Sequence, residues 1–561
     1  MSEFEERADQ LSLDQIELSL VDGKIFQHAQ QKLLSPGAKL LIGPRGAGKT
    51  HIMRHTYAYA LKNKSSPLAV YATFNRYLNL EPLLKKSPNA LKKFHSWVLA
   101  RLLLGVYQCL ADMGLAFEQL EEQDPLLSLQ KLGDLVSLLE RAGGDELYEQ
   151  FGNKLTVDHV IKAVFVALKL TGRNRAVLLL DDAALSLASP YLIAFFEVFR
   201  LLKAEKISPK ASVYPGSTQY GPTFHASHEV EEVPLWLSVE DADYLQIMGD
   251  IADRRLSLVE LKSITPETLD LFKYVSFGIP RVFLRLLREY FDTTSGSSQK
   301  KVNKIIERQA ELIGAEYDSL SLKLPQFSSI ISAGRKLFDK AVADVSAAQA
   351  ADAGLRNIIL GIKQQDDRSP LVERMLRFLV EIGLLYPLQA VSHGANRKYD
   401  RYVPHFAFLY QQGAFKEGRS VSIKGVAIVM QRPIARHPIR RDLSTLLDEA
   451  ELSGLRLDLP PCQSCGAKRL NDSQRFCHEC GQELVAASLF EECMKLPLEK
   501  VPGISQAMIA RIHKDTKLRN IGHIYSSQNA SSDLQRAYYV GPVRAGDIIN
   551  KITLTVNEFL S

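Results

Sequence analysis

The sequence is poor in cysteine and in long apolar runs, and each shortage removes a class of protein. Six cysteines in 561 residues are too few for a disulfide-built scaffold. Four of the six crowd into one late segment, a pattern of metal ligation rather than cross-linking. No run of about eighteen apolar residues stands out, so no membrane span is expected. The start, Met1-Ser2-Glu3-Phe4-Glu5-Glu6, lacks the basic-then-apolar order of an export signal, and a cytoplasmic setting is expected. Neither sign of charge dominates: 69 Lys and Arg stand against 64 Asp and Glu. The balance of +5 is only mildly basic, so the distribution of charge matters more than its sum. Hydrophobic residues at 46% and charged residues at 24% are those of a globular chain, here long enough for several domains.

What the chain does have is glycine in one decisive place. Leu40-Leu41-Ile42-Gly43-Pro44-Arg45-Gly46-Ala47-Gly48-Lys49-Thr50 reads G-x-x-x-x-G-K-T, after an apolar strand and before a helical pattern that opens at His51. Gly43, Gly46 and Gly48 let the backbone turn so that its N–H groups face phosphate oxygens, and the helix start adds its positive dipole end. Lys49 is expected on the β- and γ-phosphates and Thr50 on Mg²⁺, with Pro44, Arg45, Ala47 and His51 completing the cradle. ATP with Mg²⁺ is therefore the expected ligand.

Further strands follow. Leu68 to Phe74 reads as one, short and rich in β formers. From Pro82 to about Leu170 the pattern is helical, an insertion whose role is not legible. Ala176-Val177-Leu178-Leu179-Leu180-Asp181-Asp182 is an apolar run ending in two acids, a buried parallel strand with carboxylates at its C-terminal edge. This is the Walker B pattern. Asp181 is expected to hold Mg²⁺ and Asp182 to activate water, although it is one methylene shorter than the usual glutamate. Ala211 to Tyr214 runs into Pro215-Gly216-Ser217-Thr218, where Thr218 or Ser217 is the candidate hydroxyl for the γ-phosphate. Residues 229–235 supply the last core strand.

A helical stretch after Asp241 ends at Phe277-Gly278-Ile279-Pro280-Arg281. Gly-x-Pro-Arg opening an amphipathic helix resembles the second sensor of AAA+ ATPases, in particular the origin-recognition-like and transposition-associated group and the related STAND ATPases. The resemblance covers roughly residues 20–410. It implies an α/β P-loop core over residues 1–240 and a helical lid over 241–298, with Arg281 reaching the γ-phosphate. It also implies a winged helix over 299–415, whose helix begins at Pro370 and whose wing carries Arg397 and Lys398. One departure is clear: no Arg lies between Arg200 and Arg254, where such rings usually carry an arginine for the neighbouring subunit.

Residues 416–458 read as a basic linker, with Pro433 and Pro438 permitting at most short edge structure. Over 459–485, Cys462-Gln463-Ser464-Cys465-Gly466 and Cys477-His478-Glu479-Cys480-Gly481 form two C-x-x-C-G knuckles, and four thiolates make a closed tetrahedral Zn²⁺ site. A zinc ribbon gives so short a segment the stability that it cannot draw from a core. Over 486–561, Val501-Pro502-Gly503-Ile504-Ser505 and Val540-Gly541-Pro542-Val543 each lead into a helix. Both resemble helix-hairpin-helix turns, which offer backbone N–H groups to a DNA phosphate without reading bases. Lys500, Gly503, Arg511, Gly541 and Arg544 are the candidate contacts. The expectation is an ATPase of a DNA-transaction system (replication-initiator-like, a mobile element or antiphage defence), with self-assembly or a partner protein. The alternative is a STAND-like, nucleotide-controlled scaffold with little hydrolysis.

Overall fold

The computed structural model describes the chain except residues 1–7, 76–79, 81–88, 125–127, 142–144, 183–188, 219–228, 294–296, 325–326, 352–353, 365–369, 393–396, 418–419, 436–438, 456–475, 482–492, 526–529 and 561. The first unit is built on five parallel strands: β1 (Lys39–Ile42), β2 (Leu68–Thr73), β3 (Ala176–Asp181), β4 (Ile207–Val213) and β5 (Glu231–Pro234), in the order β2-β3-β4-β1-β5. Every residue of β3 is buried, as an apolar run in a sheet covered on both faces requires. Register pairs Thr73 with Asp181 and Ile42 with Val213, which levels the C-terminal ends of the strands.

β4 begins earlier than its apolar residues suggest. Ser208, Lys210 and Ser212 alternate along it and are all buried. Lys210 has no exposure, and its ammonium donates to the carbonyls of Ser35 (2.6 Å) and Gly37. It ties the turn before β1 to the strand beside it. Burial, with Lys39 and Arg175 nearby, lowers its pKa to about 7.

Helices cover both faces of the sheet. α1 (Leu13–Ser19) and α3 (Lys49–Lys62) pack together, and α2 (Lys24–Leu34) lies beside α3. α4 (Ala90–Asp112) opens the helical insertion. By length and composition alone it could cross a membrane, yet 72% of its most apolar stretch is buried inside the protein. It crosses β2 so closely that a Cβ on Gly105 would lie 2.8 Å from the Tyr71 carbonyl oxygen. The helices Leu129–Leu139 and Val157–Thr171 pack on α4 and complete this helical layer.

A helical segment follows β5 and leads into α5 (Pro280–Asp292), which starts with Pro280 in its first turn, where a missing N–H is harmless. Before it, Phe277 and Gly278 both take left-handed backbone angles (φ 56° and 73°). Tyr244 accepts the Gly278 N–H at 3.0 Å, and Trp236 Nε1 donates to the Phe277 carbonyl at 2.8 Å. This turn therefore has one shape, clamped to the end of the core.

Two long helices, Ser298–Lys323 and Ser328–Ala351, pack together. They lead to β6 (Leu360–Lys363), α6 (Pro370–Ile382), and the antiparallel hairpin of β7 (Leu385–Ser392) and β8 (Lys398–Pro404). The helix and the two strands follow one another in that order, and residues 393–396 between the strands lie outside the described residues. The stretch expected as a basic linker carries regular structure instead. Lys416–Glu417 pairs with Ser420–Val421, and the helix Ile423–Gln431 buries Val426, Val429 and Met430. β9 (Ile439–Arg441) then joins β6 in parallel as an edge of the sheet β9-β6-β8-β7. Its charges are partly spent within the fold, with Lys424 3.5 Å from Glu267 and Arg441 2.6 Å from Asp344. The helix ends before Pro433, and its apolar face decides the structure of this stretch.

At the C-terminal end, α7 (Gln506–Asp515) is capped by Ser505, and α8 (Pro542–Leu560) is the last helix. Two short helices, Ile521–Tyr525 and Ala530–Leu534, lie between them. Leu498, Val501, Ile509, Ile512, Ile521, Leu534, Val540, Ile548 and Ile552 are buried among the core residues of this segment.

A Cβ on Gly278 would lie 2.0 Å from the Leu237 carbonyl oxygen, at a φ that side chains avoid. Gly278→Ala is expected to cost about 2 kcal/mol or more and to lower the thermal midpoint by several degrees, read by calorimetry.

Candidate functional site

The glycine loop sits at the C-terminal edge of the sheet, between β1 and α3. Its glycines are fixed by their surroundings as well as by conformation. A Cβ on Gly43 would meet the Leu235 carbonyl oxygen at 2.3 Å, so this position is closed by the strand end beside it. Gly46 and Gly48 have φ of 81° and 96°, and open space lies where a side chain on Gly48 would project. Gly48 caps α3, and Thr50 lies half-buried in its first turn.

Lys49 is buried (7% exposed), and its ammonium donates to the carbonyls of Gly43 (2.6 Å) and Pro44 (3.0 Å). The Tyr214 ring faces it at 4.0 Å from the centroid, and Arg45 lies 5.4 Å from the same ring. Burial lowers the Lys49 pKa to about 7, against the opposing pull of Glu381, Asp181 and Asp182. A buried cation that bonds only to carbonyls of its own loop is matched to an anion. With the loop N–H groups and the helix start, the residues fit a nucleotide phosphate, and Thr50 and Asp181 fit its Mg²⁺.

Asp181 has no exposure. One carboxylate oxygen accepts from Ser212 Oγ and the other from Tyr71 OH, both at 2.9 Å. These two bonds fix the plane of the carboxylate and leave further lone pairs on each oxygen. Asp182 stands beside it at φ 55°, and its N–H donates to the same Ser212 oxygen at 2.9 Å. Burial and the Asp181 charge raise the Asp182 pKa to about 8, with Lys49 and Arg281 opposing. The two adjacent acids thus differ in environment, and burial beside Asp181 favours the protonated form of Asp182.

Arg281 comes from the first turn of α5. Its N–H reaches the Gly46 carbonyl at 3.4 Å, and a Cβ on Gly46 would lie 2.9 Å from its own Cβ. The first turn of α5 therefore packs straight onto the glycine loop. His51 faces the other way: Ser19 Oγ lies 3.2 Å from its Nε2, and burial lowers its pKa to about 4. Its side chain is a neutral strut between α3 and α1.

The two hydroxyl candidates after β4 are already engaged. Thr218 Oγ1 accepts the Tyr214 N–H at 3.0 Å. Ser217 donates to Glu381 at 2.8 Å, and the N–H groups of Gly216 (2.8 Å) and Ser217 (2.6 Å) donate to the same carboxylate. Glu381 has no exposure and comes from α6, far along the chain. Arg374, also on α6, donates to the Gly216 carbonyl at 2.8 Å. Tyr71, Ser212, Tyr214 and Glu381 were not among the sequence candidates. Only Ser212 leaves a signal, as a polar residue at the inner end of an alternating strand.

Of the other candidates, Arg397 and Lys398 lie exposed at the start of β8. Lys500 is exposed in a single 3-10 turn, and Gly503 turns the chain at φ 80° before α7. Gly541 precedes α8 with open space around it. Arg511 and Arg544 both lie beside Tyr539, 5.6 and 5.9 Å from its ring centroid. Cys477 is buried and Cys480 exposed. Cys462 and Cys465 lie outside the described residues, and among the described residues no group of three or more metal-binding side chains occurs.

No family model and no curated protein matches the chain. Among solved structures, it is similar to the Walker-type ATPase PABY2304 of Pyrococcus abyssi, at 12% identity and a TM-score of 0.35 over 70% of this chain and 95% of that one. It is also similar to the Aeropyrum pernix ORC1 protein in complex with DNA, at 13% identity and a TM-score of 0.28 over 68% and 90%.

The proton on Asp182 has a measurable sign. The folded chain holds it more tightly than the unfolded one, so between pH 3.8 and about 8 stability falls as pH rises. Asp182→Asn removes that contribution. The melting temperature of the variant, relative to the unmodified protein, is expected to climb from about pH 5 to about pH 8.

Proposed function

We propose that this protein is an AAA+-like ATPase whose nucleotide cycle governs a grip on DNA. The observation that carries the nucleotide part is the buried Lys49 in its glycine loop, facing Asp181 and Asp182 on one side and packed by the Arg281 turn on the other. Lys49 would bind the β- and γ-phosphates. Thr50 and Asp181 would hold Mg²⁺, which supplies positive charge against the phosphate oxygens. Asp182 would take a proton from water once ionised, and Arg281 would stabilise the charge on the γ-phosphate. Tyr71 and Ser212 would keep the Asp181 carboxylate aimed.

The DNA part rests on the C-terminal segment. Lys500, Gly503, Arg511, Gly541 and Arg544 lie on the turns before α7 and α8 or in the helices that follow, where backbone N–H groups and guanidinium groups suit phosphates. Arg397 and Lys398 on the β7–β8 hairpin would add a second contact in a winged-helix unit. Cys462, Cys465, Cys477 and Cys480 would hold one structural Zn²⁺ between these parts of the chain. Self-assembly or a partner protein would supply the arginine missing from the core.

A second reading has its own support. The Asp182 carboxyl favours its protonated form, and the Ser217 hydroxyl is committed to Glu381. Both features suit a slow switch that holds nucleotide and seldom hydrolyses it. Steady-state ATP turnover and labelled-nucleotide binding, with and without DNA, separate the readings. Lys49→Ala is expected to weaken nucleotide binding by about thirtyfold or more. Turnover no higher than that of the Lys49→Ala control, with and without DNA, would leave only the switch. A rise in turnover with Asp182→Glu would also favour the switch as the resting design.

A further inference from the structure

The C-terminal segment exposes what folding ordinarily hides. Tyr538 and Tyr539 are adjacent, and they are 69% and 62% exposed. Val543, in the first turn of α8, is 87% exposed. A loose loop would let such rings fold back onto the core, but this loop is restrained at three points. The Tyr538 N–H donates to Asp515 Oδ2 at 2.8 Å, on the last residue of α7. Arg544 donates to the Tyr539 carbonyl at 2.8 Å, from the first turn of α8. Tyr539 itself sits at φ 69°, a left-handed conformation that is costly for an aromatic residue. The strain and the two bonds hold the rings outward, with centroids 4.8 Å apart and planes at 83°.

The neighbours of these rings are cationic. The guanidinium carbons of Arg511 and Arg544 lie 5.6 and 5.9 Å from the Tyr539 centroid, one on α7 and one on α8. Lys514 is one turn beyond Arg511, and Arg536 precedes the tyrosines by two residues, both exposed. The nearby acids are occupied: Asp515 accepts the Tyr538 N–H, and Asp533 lies 3.7 Å from Arg536. Fixed aromatic faces set among cations match a polyanion that also presents flat, uncovered rings. A DNA duplex presents phosphates but keeps its base faces stacked on one another, and a tyrosine meets a phosphate through its hydroxyl and not through its ring face. An unpaired strand presents both.

We propose that Tyr538 and Tyr539 form a stacking platform for the bases of a single DNA strand, with Arg511 and Arg544 on its phosphates. The proposal rests on the DNA-binding reading given above and goes further, because it chooses the strand over the duplex. It makes the protein selective for exposed single strands, with little sequence preference, since every base has a face to stack.

The test uses the full chain and fluorescence anisotropy with a labelled oligothymidine of about twenty nucleotides and a duplex of the same length. The doubly substituted Tyr538→Ala/Tyr539→Ala protein is expected to bind the single strand about tenfold or more weakly and the duplex within about twofold of the unmodified protein. Tyr538→Phe/Tyr539→Phe is expected to restore the single-strand affinity, which separates stacking from a folding defect. An unchanged single-strand affinity in the alanine protein would overturn the proposal, as would an equal loss on both DNAs. If duplex binding persists and the single strand is ignored, the platform fails and the DNA-binding reading stands. If neither DNA binds at low salt, both fail.

Discussion

Two carboxyl groups side by side at the buried end of a strand are the constraint that shapes the nucleotide-binding unit. Neighbouring charges of one sign cannot both ionise in a dry place without compensation. Here each is handled differently. Asp181 takes a hydroxyl on each oxygen, from Tyr71 of β2 and Ser212 of β4, so it is aimed by the strands on either side of it. Burial and the Asp181 charge push Asp182 toward its protonated form instead. The sheet order puts Lys49 two strands away, and α5 packs Arg281 onto the glycine loop, so the positive groups arrive from the sheet and from the helix after it. The same Ser212 oxygen serves both acids, through one carboxylate and one N–H. Its loss would free the two together.

Much of this site is legible in the sequence, and the reason is locality. The glycine loop, the apolar run into Asp181-Asp182 and the Gly278-Ile279-Pro280-Arg281 turn are patterns of consecutive residues whose backbone demands are visible in their spelling. Tyr71, Tyr214 and Glu381 carry no such mark. Their roles depend on which strand lies next to which and on where α6 lands, and a tyrosine or glutamate in an amphipathic segment looks the same wherever it lands. The hydroxyls of Ser217 and Thr218 show the converse. They are correctly read as lying at the end of the strand between the two phosphate-site strands, but their partners come from Glu381 and from their own turn. The stretch after Lys416 looked like a linker because its charge and prolines are conspicuous, whereas the Val426, Val429 and Met430 face that decides its fold is short.

The units of the chain are joined by buried polar contacts rather than by apolar surface alone. Glu381 closes on the loop after β4, and a Cβ on Gly216 would clash with Phe378 and with Glu381 itself. Arg356 plays a similar part elsewhere, bonding Glu240 at 2.6 Å and the Met430 carbonyl at 2.6 Å. Contacts of this kind are sensitive to angle and expensive to leave half-made. A shift of α6 therefore cannot be absorbed gradually by the loop beside Lys49. Either the loop follows, or its N–H groups lose their acceptor.

Lys210 stands in the middle of β4 with its ammonium turned to the turn before β1, and its setting has a chemical consequence. Burial lowers the pKa of its amine and favours the neutral, nucleophilic form, yet no surface of it is open. Acylating reagents should pass it by while the strands are together and take it as readily as any other lysine once they part. A single mass-shifted peptide containing Lys210 would then record the opening of the central sheet, independently of anything that happens at the nucleotide site.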